Sequence, residues 1–201
     1  IADAFNVTRQ AMDEFAYNSH QKAIVAIDQG KFAAEIVPVE LPGRKGEATI
    51  FDTDECPRRD SSLEGLAKLK PVFQKDGRIT PGNAPSLNDG AAALVIASRA
   101  RALAMGVKPL ARVVGYAQSA VEPKFLFDAP ARAIPRLLEK VGWTLADVDL
   151  IELNEAFAAQ ALADGLELGP SRVLKRLADL HAMRPRVETQ RASDERMLPV
   201  S

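Results

Sequence analysis

Apolar positions recur at helical spacing across residues 8–29. Met12, Phe15, Ala16, Ser19, Ala23 and Ile27 fall on one side, with charged and amide side chains between them. Thr8 is the predicted N-cap and Gly30 the predicted stop. The segment EIVPVE, 35–40, reads as a short strand, and Pro38 confines it to a sheet edge because proline donates nothing to a ladder. Residues 41–62 are rich in Gly, Pro, Asp and Arg and read as loop. A short helix is predicted over 63–69, then a loop over 75–89 carrying two prolines and two glycines.

The pattern then changes. AAALVIAS, 91–98, is predicted as a buried strand, and 99–105 as a helix ending at Gly106. ARVVGYA, 111–117, is a second strand. Residues 129–141 form an amphipathic helix with Ala133, Ile134, Leu137, Leu138 and Val141 on one side. Pro135 lies inside it, so a kink or a later start is expected, since proline removes a backbone donor. VDLIEL, 148–153, is a third strand, and a helix weakened by Gly165 follows over 156–168. Strands alternating with helices mean α/β architecture with both sheet faces covered. Residues 172–183 are predicted as one more helix, and 184–201 as a disordered tail.

Composition narrows the class. The chain has 201 residues, room for one domain or two small ones. Apolar residues reach 47% but aromatics only 5%, so the core must be built from Ala, Leu, Val and Ile. A net charge of −1 argues against broad nucleic-acid binding, which needs a basic surface to displace counterions. One cysteine cannot form an internal disulfide. No apolar run approaches the roughly 20 residues that span a bilayer, and the opening at Ile1 has no signal-like stretch. A cytoplasmic protein is the expectation. The missing initiator Met places the expected start upstream.

Three stretches resemble thiolases: SLEGLAKLKPVFQKDGRITPGNAPSLNDGAAALVIAS (62–98), ARVVGYAQSAVEPK (111–124) and GWTLADVDLIELNEAFAAQALA (142–163). The opening DEFAYNSHQKA also fits. NEAFA alone would be weak, but together with GNA-x-x-NDGAAA it is specific, and the resemblance covers residues 1–169. It implies a layered αβαβα thiolase-like fold, incomplete here, with an inserted loop domain. Residues 1–80 would be the late loop domain, 81–169 the start of the C-terminal half, and 170–201 a divergent tail.

The chemistry the resemblance implies is CoA-dependent acyl transfer, forming or cleaving 3-ketoacyl-CoA such as acetoacetyl-CoA. A cysteine thiolate takes the acyl group, a histidine activates it, a second cysteine moves a proton at the α-carbon, and hydrogen-bond donors hold the thioester oxyanions. The family's motifs for the two cysteines and the histidine do not occur in these 201 residues, so the chain alone is expected to be inactive. No cofactor and no metal are expected: coenzyme A is a substrate, and two histidines with one cysteine, far apart, make no metal spacing. The parent is expected to be a homo-oligomer acting on acyl-CoA, with no nucleic acid or membrane partner.

Residue by residue, the resemblance assigns Asn154, at the head of NEAF, to a water that binds the thioester oxygen; an Asn there would also serve to cap the next helix. Ala156 and Phe157 match positions lining the CoA site, although Phe157 would equally serve the core. Arg58, Leu66, Leu69 and Phe73 match loop-domain positions that embrace CoA. Six basic residues against three acidic ones over 58–78 suit a nucleotide with several phosphates, though a solvated surface would look the same. Asn83 belongs to the Gly-rich turn, where Pro85 replaces the family's serine and leaves the local contact open. Leu126 falls at the acyl pocket. Cys56 is expected to be inert, and His20 to be a solvated helix-surface side chain. Against a working thiolase stand two alternatives: a non-catalytic CoA-binding or subunit-interaction remnant, and a partial product without function.

Overall fold

The computed structural model describes residues 1–43 and 47–169, so the helix and tail expected beyond 170 lie outside the described residues. The described residues form two compact units, one from residues 1–85 with 149–169, the other from 86–148.

The first unit is organised by helix α1, Arg9–Asp28. Thr8 caps it as expected, its hydroxyl accepting the Ala11 N–H at 3.1 Å, and Gly30 follows the helix at φ +66°. Met12 is fully buried and clusters with Val7, Ala158 and Ala159, with Phe5, Phe15, Ile79 and Leu162 packed around them. Ala158 and Ala159 open helix α5, Ala158–Leu168. That helix starts two residues later than expected, with Phe157 at its N-cap, and Gly165 is buried in it. Its alanines pack against Met12 of α1 in that cluster.

The expected strand at 35–40 is displaced. Glu35 and Ile36 both donate N–H groups to Phe32 C=O, so the chain after α1 is still turning there. Pairing begins beyond Pro38: β1, Val39–Pro42, meets β2, Ala48–Phe51, antiparallel, with Val39 opposite Phe51 and Glu40 opposite Ile50. β2 falls in the region expected to be loop. Helix α2, Leu63–Ala67, is capped by the Ser62 hydroxyl.

In the second unit, α3 spans Arg99–Ala104 and Gly106 follows it at φ +65°. Helix α4, Ala129–Val141, begins where the pattern begins and runs through Pro135, so the later start is not found. Lys140 Nζ donates to Tyr116 C=O at 3.0 Å and sits over the Tyr116 ring, and a Cβ on Gly115 would collide with Val141. The stretch around 115 therefore lies directly against α4.

None of the three segments expected as strands, 91–98, 111–117 and 148–153, is in a ladder among the described residues. Val95 and Leu94 are almost wholly exposed. A strand is defined by the partner that completes its hydrogen bonds, so an apolar run names a candidate without supplying the partner. No helix among the described residues is long and apolar enough to cross a membrane.

Replacing Thr8 by Ala is expected to lower the stability of the first unit by about 1 kcal/mol, with Thr8→Ser near wild type. Urea denaturation followed by circular dichroism reads this, and an unchanged Thr8→Ala midpoint would refute the cap.

Candidate functional site

The NEAF segment forms a tight turn between Leu153, which is buried, and α5. Asn154 C=O accepts the Ala156 N–H at 2.9 Å, an i to i+2 closure. Two outside contacts fix the turn. Glu155 Oε2 accepts the Ser19 hydroxyl of α1 at 2.7 Å. On the other side, the Ala158 N–H, one of the unsatisfied donors at a helix start, donates to Asn83 C=O at 3.1 Å. Asn154 itself is exposed, and no hydrogen bond is formed by its side-chain amide with the described residues.

Asn83 turns out to be a buried junction. Its Oδ1 accepts the Thr80 N–H at 2.9 Å, and its Nδ2 donates to Arg78 C=O at 3.1 Å and to Asp13 Oδ1 at 2.9 Å. Three of the amide's hydrogen-bonding positions are thus taken inside the protein. Asp13, also buried, holds the Arg9 guanidinium at 2.7 Å through its other oxygen. Arg9 Nη2 continues to Leu66 C=O at 2.7 Å and Leu69 C=O at 3.1 Å, which caps the carbonyl end of α2. Gly82 closes the assembly: a Cβ there would meet the ends of the Leu66 and Leu69 side chains, so any larger residue requires those two leucines to shift. Leu66 is buried beneath this contact, while Leu69 is at its edge.

Arg58 sits on the exposed loop before α2. Its guanidinium pairs with the Asp60 carboxylate through two 3.2 Å contacts, which holds Asp60 below the usual carboxylate range. Its backbone N–H donates to His20 Nδ1 at 3.3 Å. His20 is therefore half-buried and engaged, which corrects the expectation of a solvated side chain. Burial first, and the Arg58 charge second, lower its pKa, with Asp60 opposing. The neighbouring Arg59 grips Asp28 of α1 at 2.6 Å. Phe73 is 75% exposed beside a shallow groove of about 380 Å3 that Lys70, Gln74 and Lys75 also line.

The structure thus gathers Asn154, Ala156, Phe157, Asn83, Leu66, Leu69, Phe73 and Arg58 in the first unit, whereas Leu126 lies in the second, exposed on the 3-10 turn Pro123–Asp128. Cys56 is exposed. Sequence reasoning missed Arg9, Asp13, Ser19 and Thr80. Two signals pointed toward them: an Arg–Asp pair at i, i+4 with its Asp beside the core residue Met12, and a Thr-x-x-Asn spacing in a Gly-rich turn.

Residues 1–100 match the family description "Thiolase, N-terminal domain", and residues 107–174 match "Thiolase, C-terminal domain". An acetyl-CoA acetyltransferase of Pseudomonas aeruginosa is 53% identical over 169 residues, 84% of this chain and 43% of that protein. A beta-ketoadipyl-CoA thiolase of Acinetobacter baylyi is 48% identical over the same length, 84% of this chain and 42% of the relative. The crystal structure of the Bacillus anthracis acetyl-CoA acetyltransferase superposes with a TM-score of 0.81 at 41% identity, covering 92% of this chain and 52% of that one. The human mitochondrial 3-ketoacyl-CoA thiolase gives 0.81 at 36% identity with the same coverage. The chain spans less than half the length of the curated relatives it matches.

Removing Asp13 leaves the Arg9 charge and the Asn83 amide without their partner. Asp13→Ala is expected to destabilise the first unit by about 3 kcal/mol, and Asp13→Asn, which keeps an acceptor oxygen, by less. Equal midpoints for the two variants in urea denaturation would show that the carboxylate is not the junction described.

Proposed function

Since the chain belongs to the thiolase family and shares its α/β fold, we propose that it carries part of the acyl-CoA site of an acyltransferase that forms or cleaves 3-ketoacyl-CoA. The observation that supports this most directly is Asn154: an exposed amide on a turn held at Ser19 and at Asn83. A donor carried on a fixed backbone has less to reorganise as charge develops than one on an unheld loop. In this reading Asn154 orients the water that meets the thioester oxygen. Ala156 and Phe157 line the passage beside it. Arg58 exchanges Asp60 for a phosphate of CoA, Leu69 and Phe73 provide the apolar side for the pantetheine arm, and the buried Leu66 contributes by holding the framework. Leu126 belongs to the acyl pocket. Asn83 contributes by holding the turn. CoA enters as a substrate, and the whole protein is cytoplasmic and a homo-oligomer under the same proposal.

Calorimetric titration of the chain with CoA tests the binding half. Arg58→Ala is expected to weaken CoA about tenfold, the usual loss of one charge-assisted hydrogen bond. Folded chain that binds no CoA would sink the reading. In the whole protein, where thiolysis of acetoacetyl-CoA can be measured, Asn154→Ala is expected to slow it about 100-fold with little change in CoA affinity. Binding without thiolysis would leave the non-catalytic alternative standing.

A further inference from the structure

Two contacts of different kinds help fasten the loop that carries Arg58 to α1. One is the Arg59–Asp28 ion pair at 2.6 Å. The other is the hydrogen bond from the Arg58 backbone N–H to His20 Nδ1, which spans 38 residues of sequence. The second differs in kind, because an imidazole nitrogen accepts only while it carries no proton. Protonation would set an N–H against the Arg58 N–H and bring a second positive charge beside the guanidinium. The residue before His20 is Ser19, which holds the NEAF turn through Glu155. Adjacent positions of one helix therefore fasten both the Arg58 loop and the Asn154 turn.

We infer that His20 is a positioning residue for Arg58: its neutral imidazole holds the loop in the geometry that receives the phosphates of a CoA thioester, and protonation releases it. The inference rests on the CoA reading above for its ligand, while the anchoring stands on the hydrogen bond alone. The charged groups facing His20 are Arg58 and Asp60, both from the loop; Arg59 and Asp28 satisfy each other farther along α1. Burial and the Arg58 charge place the folded-state pKa of His20 below its ordinary 6.5. The folded state then binds fewer protons than the unfolded one. The anchoring is complete above pH 6.5 and is lost as pH falls through the lowered folded-state value.

The test is a backbone amide NMR titration of the 201-residue chain from neutral to acid pH, paired with CoA titrations at each end. The proteins are wild type, His20→Gln and His20→Leu. Glutamine offers an acceptor oxygen that does not titrate, whereas leucine offers none. In the wild type the Arg58 amide resonance is expected to inflect below pH 6.5. CoA affinity is expected to fall about fivefold more on acidification than in His20→Gln. Both proteins meet the same ligand, so ionisation of its own phosphate, with a pKa of about 6, cancels in the comparison. His20→Leu is expected to lack the inflection and to bind CoA weakly at every pH.

An Arg58 amide that does not inflect in the wild type, or that inflects equally in His20→Gln, overturns the anchoring. CoA affinity that rises on acidification also overturns the inference, because the imidazolium would then be meeting phosphate directly. An inflection without CoA binding at any pH overturns the CoA reading and with it the ligand named here, and leaves a pH-dependent clasp.

Discussion

A buried carboxylate must be satisfied, and the first unit is arranged around meeting that demand at Asp13. Taking a charge out of water costs several kcal/mol unless partners replace the lost hydration. Asp13 has one partner on each oxygen, Arg9 and Asn83, and neither stops there. Arg9 extends to the carbonyl end of α2. Asn83 organises the turn from Arg78 to Asn83 and presents its own carbonyl to the first residue of α5. Helix α1, helix α2, the Gly-rich turn and the NEAF turn thus converge on one side chain. The apolar core of Val7, Met12, Ala158 and Ala159 supplies adhesion without direction.

The same arrangement explains why the residues that match family binding positions differ so much in exposure. Asn83 and Leu66 are buried because they hold the framework, while Asn154, Arg58 and Phe73 are exposed at its surface. A site placed on turns needs its backbone fixed from outside, since turns have few hydrogen bonds of their own. Here Ser19, His20 and Asn83 provide that fixing.

What could be read from the sequence followed the range of the interactions involved. Helix α1, its Thr8 cap and the Gly30 stop depend on residues within one or two turns of each other, so periodicity and capping chemistry located them. The strands did not follow. AAALVIAS has the composition of a strand, but pairing is decided elsewhere in the chain, and β2 was concealed in a segment whose glycines, prolines and charges read as loop. Helix α4 starts at Ala129 and runs through Pro135, so the later start that the proline suggested did not occur. The NEAF and GNA turns were legible through motif resemblance. Asp13 and His20 were not, because each looked like an ordinary polar residue on an amphipathic helix, and its role comes from partners 70 and 38 positions away.

Gly82 has a bearing on how this region can change. The space a side chain would occupy at position 82 is already filled by Leu66 and Leu69. The three positions therefore share one space, and bulk added at 82 has to be met by a shift of the two leucine side chains. Substitution histories at 82, 66 and 69 should be correlated for that reason. An attempt to reshape the leucine side toward a different ligand would have to weigh all three positions together, since bulk at 82 is felt first by the two leucine side chains.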